Sequence, residues 1–235
     1  NYQHRPFKDT TWTLSESPYI ITEDLTLFPS YTLTIQPGVE VKLSAGTKLT
    51  IRGALVAEGT ESNRIVFTST EPGTKGSWGG IDIATHLGAN TSIKFASLSY
   101  AQTAIYVHCC WKGGPVNIYD SMFTDNVIAL GGYAGWDMIV ERCIFERNTY
   151  AVTSADKRIS NSLFRNNDYG LYATERISVY SSTFVENQVA LYGGRGEVKN
   201  CEISNNNIGV QSFFEGFTLS QNTIKYNGEI GVKSI

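Results

Sequence analysis

Phe164-Arg165-Asn166-Asn167-Asp168-Tyr169-Gly170-Leu171 and Phe184-Val185-Glu186-Asn187-Gln188-Val189-Ala190-Leu191 are one motif written twice: an apolar anchor, Asn three positions on, then a small residue and an aliphatic one. The motif occurs six times. Its anchors are Phe123, Phe145, Phe164, Phe184, Ile203 and Ile224, and its amides are Asn126, Asn148, Asn167, Asn187, Asn206 and Asn227, spaced 22, 19, 20, 19 and 21 residues apart. The small residues are Ala129, Ala151, Gly170, Ala190, Gly209 and Gly231, and the aliphatic ones Leu130, Val152, Leu171, Leu191, Val210 and Val232. Five positions before each anchor stands a further aliphatic residue: Ile118, Val140, Ile159, Val179, Val198 and Leu219. A unit this short cannot bury its own apolar face, but stacking like units aligns the columns and closes a continuous core. The apolar runs are too short and too often broken by Asn, Gly or Ser for helices. The pattern therefore predicts an all-β, right-handed parallel β-helix of about nine coils of roughly 20 residues. The Asn column has its own physical role, because Asn tolerates left-handed backbone and its amide can bond the next Asn along the stack.

Working towards the N-terminus, Leu98, Ala101, Ala104 and Ile105 repeat the motif with Ala in the place of Asn. Before them, Leu33-Thr34-Ile35, Val39-Glu40-Val41-Lys42-Leu43, Leu49-Thr50-Ile51 and Ile65-Val66-Phe67 alternate as strands do between Gly-bearing turns. The whole of 1–235 reads as one domain: a cap over 1–18 covering the first rung, wider coils over 19–95, and regular Asn-ladder coils over 96–235. The chain begins at Asn1 without a Met, as a mature or excised fragment does, and stops in mid-pattern at Ile235, so that either a partner covers the last rung or the native protein continues.

Only 17% of residues are charged and the net charge is −3, so no basic stripe marks a nucleic-acid partner. No apolar run is long enough to cross a membrane as a helix. Four cysteines are too few for a disulfide scaffold. Cys143 and Cys201 fall at equivalent places three coils apart, which at about 4.8 Å per coil puts them about 14 Å apart, out of disulfide range. They read as buried thiols. Cys109 and Cys110 are adjacent and poorly placed to bond each other. Asn90-Thr91-Ser92 is a sequon in a polar stretch where a secreted protein could carry a glycan.

Asp9-Thr10-Thr11-Trp12, Ser17-Pro18-Tyr19, Leu33-Thr34-Ile35-Gln36-Pro37-Gly38-Val39, Gly53-Ala54-Leu55-Val56-Ala57-Glu58-Gly59-Thr60, Arg64-Ile65-Val66-Phe67-Thr68-Ser69 and Trp78-Gly79-Gly80-Ile81 together resemble the β-helix domains of the Bark beetle/Anakonda family. More broadly they resemble pectate-lyase-like parallel β-helix repeat proteins. The resemblance covers roughly residues 9 to 105. It implies a place in the ectodomain of a large single-pass cell-surface protein of insect tricellular junctions, and hence an extracellular or cell-surface location. The in-register ladder itself points to a rigid scaffold or adhesion module without cofactor, and the aromatic Gly-rich loops to a protein partner or self-association.

The rival reading is a polysaccharide-processing or carbohydrate-binding β-helix. Hydrolysis needs carboxylates flanking the scissile bond, and elimination needs several carboxylates on Ca²⁺ beside a base. The outward column Asp120, Arg142, Asn161, Ser181, Asn200, Gln221 stacks no carboxylates, and the best charged cluster, Asp125, Glu146, Arg147, Arg165 and Glu186, alternates in sign as solvated cross-strand pairs do. His108-Cys109-Cys110 lacks a second ligand pair, so no metal site is predicted. Tyr172 and Tyr192 occupy one outward position on adjacent coils. They suit a sugar ring, and equally a ring ladder that shields the coil. Cys110–Pro115 and Gly131–Trp136 are Gly-rich departures from the repeat carrying Trp111, Tyr133 and Trp136. They read either as a protein-binding patch or as lids over the outward apolar strip Met122, Ile144 and Leu163. A mixed outward surface does not match the flat Thr array of an ice-binding solenoid.

Overall fold

A computed structural model describes residues 8–85, 89–108, 114–132, 138–153, 157–212, 216–228 and 230–234. Over these residues the chain winds as a parallel β-helix of about nine turns. One wall is a ten-stranded sheet of short strands running from Tyr19–Ile21 to Thr223–Lys225. The other 18 strands make the remaining walls. Tyr169–Tyr180 and Val189–Lys199 join them into one sheet by running unbroken round a corner. Among the described residues the helical content is one 3-10 turn, Leu14–Glu16, and no helix is long and apolar enough to cross a membrane.

The three apolar columns are in register. Phe123, Phe145, Phe164, Phe184, Ile203 and Ile224 pair in succession, as do the Ile118 to Leu219 and Leu130 to Val232 series. The Phe rings stack at centroid separations of 5.0, 4.7 and 4.4 Å, nearly parallel. The wider early coils feed the same stack through Val41, Phe67 and Leu98. Residues from Thr10 onward are already wound in: Thr10–Trp12 pairs with Leu33–Ile35, and Trp12 lies in the core with its ring stacked on Tyr19 at 4.9 Å. The segment read as a cap thus contributes the first strand of the solenoid.

Asn126 to Asn227 form a continuous side-chain ladder. The Nδ2 of each donates to Oδ1 of the next, at 3.0, 3.0, 2.9, 2.9 and 2.9 Å. The same Oδ1 accepts the backbone N–H of the preceding Asn, and Nδ2 also donates to the anchor carbonyl one coil back, as Asn167 does to Phe145 O at 2.9 Å. Asn126, Asn148, Asn167, Asn187 and Asn206 are buried and fully committed, and Asn227 at the end of the ladder is half-buried. Ala101, in the Asn place, passes its N–H to Asn126 Oδ1 at 2.8 Å.

The left-handed backbone does not belong to the ladder Asn. It belongs to the residue before it: Asp125, Arg147, Asn166, Glu186, Asn205 and Tyr226 all have φ near +55°. A second left-handed column, Asp120, Arg142, Asn161, Ser181, Asn200 and Gln221, stands at the other end of each short strand. Each of its members precedes a second inner ladder: Ser121, Cys143, Ser162, Ser182, Cys201 and Asn222. Ala96 N–H donates to Ser121 Oγ, Cys143 N–H to Ser162 Oγ, Ser162 N–H to Ser182 Oγ, Ser182 N–H to Cys201 Sγ and Cys201 N–H to Asn222 Oδ1. The two cysteines are unbridged and buried because they stand in for Ser in this column.

Two stability predictions follow from these columns. Asn167→Ala leaves a backbone donor, an amide donor and a carbonyl without buried partners, at about 1–3 kcal/mol each where water cannot replace them. Urea denaturation should show a cost of at least about 3 kcal/mol, similar to the 3–5 kcal/mol expected for the cavity of Phe164→Ala. Cys143→Ser places in the column the group its neighbours already use, and should change stability by less than about 1 kcal/mol in the same titration.

Candidate functional site

Of the charged residues singled out in the sequence, Asp125, Arg147 and Glu186 sit at left-handed corners, while Glu146 and Arg165 end the short strands beside them. Arg147 grips Asp125 with two bonds of 3.0 and 2.8 Å and touches Glu146 at 3.0 Å; Arg165 meets the same Glu146 at 2.9 Å. Glu186, the fifth member, is exposed. At the other corner Arg142 grips Asp120 at 2.7 and 3.1 Å and Glu141 at 2.6 Å. The guanidinium of Arg142, hydrogen-bonded to Asp120, holds that carboxyl below the usual carboxylate range. These carboxylates tie coil to coil. Burial pushes the Cys143 thiol up to about 12 and raises Cys201 as well, so neither is a thiolate at neutral pH.

His108 Nε2 lies 2.6 Å from Asp82 Oδ1, one coil below it, with the Tyr106 ring edge-on to the imidazole at 4.8 Å. Beside them Lys48, Gly80, Thr103 and Tyr106 line a shallow hollow of about 170 Å³. Cys109, Cys110, Trp111, Tyr133 and Trp136 lie outside the described residues. Their entry points are placed: the strands leading to them end at Val107 and Gly132, which are in register. Among the described residues no group of three or more His, Cys, Asp or Glu is arranged to hold a metal ion.

Tyr172 and Tyr192 are in register and stack at 4.8 Å and 14°. They belong to a cluster of four. Tyr150 and Tyr169, from the neighbouring outward column, stack at 5.1 Å and 11°, and both present their rings at right angles to Tyr172. Tyr169 meets Tyr192 edge-on at 5.5 Å, and burial among these rings raises its phenol pKa. Ile128, Tyr150, Tyr169, Val189 and Ile208 form one outward column, so this wall presents aromatic and aliphatic side chains over several coils.

The chain length spent at the corner after this wall varies. From one core residue to the next it is 13 residues between Ile105 and Ile118 and 10 between Leu130 and Val140, then 7, 8 and 7 over the next three coils, and 9 between Val210 and Leu219. A cleft of about 600 Å³ lies where the corner is short, lined by Arg176, Ser178, Arg195, Gly196, Glu197 and Thr218. Just upstream Lys157 is buried, its ammonium donating to Gly132 O and Thr153 O at 3.0 Å each. Neither the cleft nor the buried lysine was foreseen. Counting corner lengths between aligned core columns would have located the cleft.

Residues 7–105 match the family model of the pectate-lyase-like β-helix domain. Protein bark beetle of Drosophila melanogaster is 42% identical over 55 residues, a stretch that is 23% of this chain and 2% of that protein. No solved structure matches the chain.

The Asp120–Arg142 pair gives a pH prediction. A carboxyl whose pKa is lowered on folding contributes stability above its unfolded value, and that contribution is lost as the pH falls through the lowered folded value. Asp120→Asn should therefore lower the denaturation midpoint at pH 7, and its difference from the parent chain should fade as the pH drops below about 4.

Proposed function

We propose that the chain is a non-catalytic extracellular scaffold module that mediates protein–protein contact at cell junctions. The observation that carries this reading is the outward wall of Tyr150, Tyr169, Tyr172 and Tyr192 flanked by Ile128 and Ile208. Tyrosines concentrate where proteins meet, because each brings a large apolar ring and a polar tip at low entropic cost. The strands ending at Val107 and Gly132, from which the chain runs on to Trp111, Tyr133 and Trp136, belong to the same sheet as this wall. The resemblance of the N-terminal coils to junction proteins of the Bark beetle/Anakonda family supports the location. The mutual pairing of Asp120, Asp125, Glu146 and their arginines supports a structural use of the carboxylates a polysaccharide lyase or hydrolase would need.

Beads coated with the chain should aggregate with one another or with beads carrying a junction ectodomain. The paired Trp111→Ala, Trp136→Ala variant should lose that aggregation while keeping its thermal midpoint within about 2 °C, as surface substitutions do. Release of unsaturated products from a uronic-acid polymer by the parent chain would overturn the reading in favour of the lyase.

A further inference from the structure

We infer that Asn90 carries an N-linked oligosaccharide, a modification that rests on the extracellular reading above and that borders the corner used for contact. Among the asparagines of the chain Asn90 alone is followed two positions on by Ser or Thr, in Asn90-Thr91-Ser92. Such a triplet recurs by chance, so its place in the fold decides whether a sugar fits there.

Asn90 is exposed and stands just before the strand Thr91–Lys94, in which Thr91 and Ile93 are buried and Ser92 and Lys94 face outward. The same alternation turns Asn90 outward. Among the described residues nothing hydrogen-bonds its side-chain amide, whereas Asn126, Asn148, Asn167, Asn187 and Asn206 are consumed by the ladder. Thr91 is in register with Leu55 on one side and Val116 on the other, so the positions flanking Asn90 on the neighbouring coils are Ala54 and Pro115. Neither has a long or charged side chain to occupy the space. A bulky hydrophilic group on Nδ2 therefore projects into solvent without displacing a neighbour.

The transfer is a substitution at the sugar. Nδ2 of Asn90 bonds to C1 of an oligosaccharide held through pyrophosphate on a polyprenol lipid of the secretory membrane. The C1–O bond breaks, the lipid pyrophosphate leaves with the bonding electrons, and one amide proton passes to a carboxylate of the transferase. That enzyme has to reach the Ser92 hydroxyl as well as the amide. In the wound coil it cannot, because Thr91–Lys94 is paired on both sides, Thr91 is buried and Ser92 Oγ donates to Glu58 Oε1 at 2.5 Å. The sugar is therefore added before this coil closes, and the finished fold accommodates it.

Ile83 is in register with Val107 as Thr91 is with Val116, so the stretch holding Asn90 and the stretch from Val107 to Val116, which includes Trp111, turn the same corner on successive coils. Tyr150, Tyr169, Tyr172 and Tyr192 lie on coils further towards the C-terminus. A glycan on Asn90 thus marks the N-terminal border of the contact surface.

The test is to secrete the chain from insect cells behind a signal peptide, beside its Asn90→Gln, Ser92→Ala and Ser92→Thr variants. The parent and Ser92→Thr chains should run as a heavier band that a peptide-N-glycanase collapses, with the Asn90 amide converted to a carboxylic acid in the tryptic peptide. Asn90→Gln and Ser92→Ala should lose the heavier band while far-UV circular dichroism is unchanged. A parent chain secreted without the shift, or a shift that survives both Asn90→Gln and Ser92→Ala, overturns the inference. Beads carrying the glycosylated parent should aggregate as beads carrying Asn90→Gln do; aggregation seen only without the sugar puts Asn90 on the contact itself and overturns its place at the border. The two readings fail separately. A glycan on beads that never aggregate leaves the site standing and removes the contact function, whereas aggregation by a secreted chain that has no sugar removes the site alone.

Discussion

The buried amide ladder is the interaction that fixes everything else in this solenoid. A parallel stack held by backbone bonds alone could slip by two residues and still keep its inward and outward faces. Asn126 to Asn206 remove that freedom, because each side chain is saturated by groups that come together in a single register: its Nδ2 donates to the next Asn oxygen and to an anchor carbonyl one coil back, and its Oδ1 accepts the backbone N–H one coil back. A slipped coil would leave those groups buried without partners, a cost that backbone pairing could not recover. The Phe column is the apolar consequence, since rings can stack at 4.4–5.0 Å only if successive anchors sit directly above one another.

The ladders also explain how the chain tolerates its corners. Each regular coil places two non-glycine residues in the left-handed region, at about 1–2 kcal/mol apiece. In every case the residue that follows is a ladder member, so the unfavourable φ is what turns the next side chain inward to be satisfied. Glycine would relieve the strain but forfeit the outward side chain. The sequence instead has Asp120 and Arg142, then Asp125 and Arg147, at successive corners, and uses the projection to clamp one coil to the next from outside. Strain, inner ladder and outer clamp are thus one device.

That device was only partly legible in the sequence. The Asn ladder and the three apolar columns repeat one residue type at a constant offset, so they could be read directly, and their register is as expected. The second ladder mixes Ser, Cys and Asn, and no residue type marks it. What its members share is position and a polar atom that can accept an N–H, which explains why Cys143 and Cys201 read as isolated thiols rather than as a column. The left-handed φ was assigned to Asn on propensity, although the geometry gives it to the residue before, where Arg and Glu adopt it under tertiary constraint. Of the candidate site, Tyr172 and Tyr192 were legible because they occupy the repeat, but their partners Tyr150 and Tyr169 stand in a different column and were missed.

Function in such a molecule has to arise where the repeat is broken in length or in chemistry, because a wall of equivalent coils offers the same groups at every level. Here both kinds of break meet at one corner. There 13 residues separate Ile105 from Ile118 and 10 separate Leu130 from Val140, the stretches that include Trp111, Tyr133 and Trp136; the next three coils turn in 7, 8 and 7, and the cleft opens beside them. Because the strands Tyr169–Tyr180 and Val189–Lys199 pass round this corner without interruption, the tyrosine wall and the corner cleft are carried on the same two rigid elements. Their relative position is set by backbone pairing rather than by a loop, so a partner would meet both at a fixed offset, with little ordering entropy left to lose on binding.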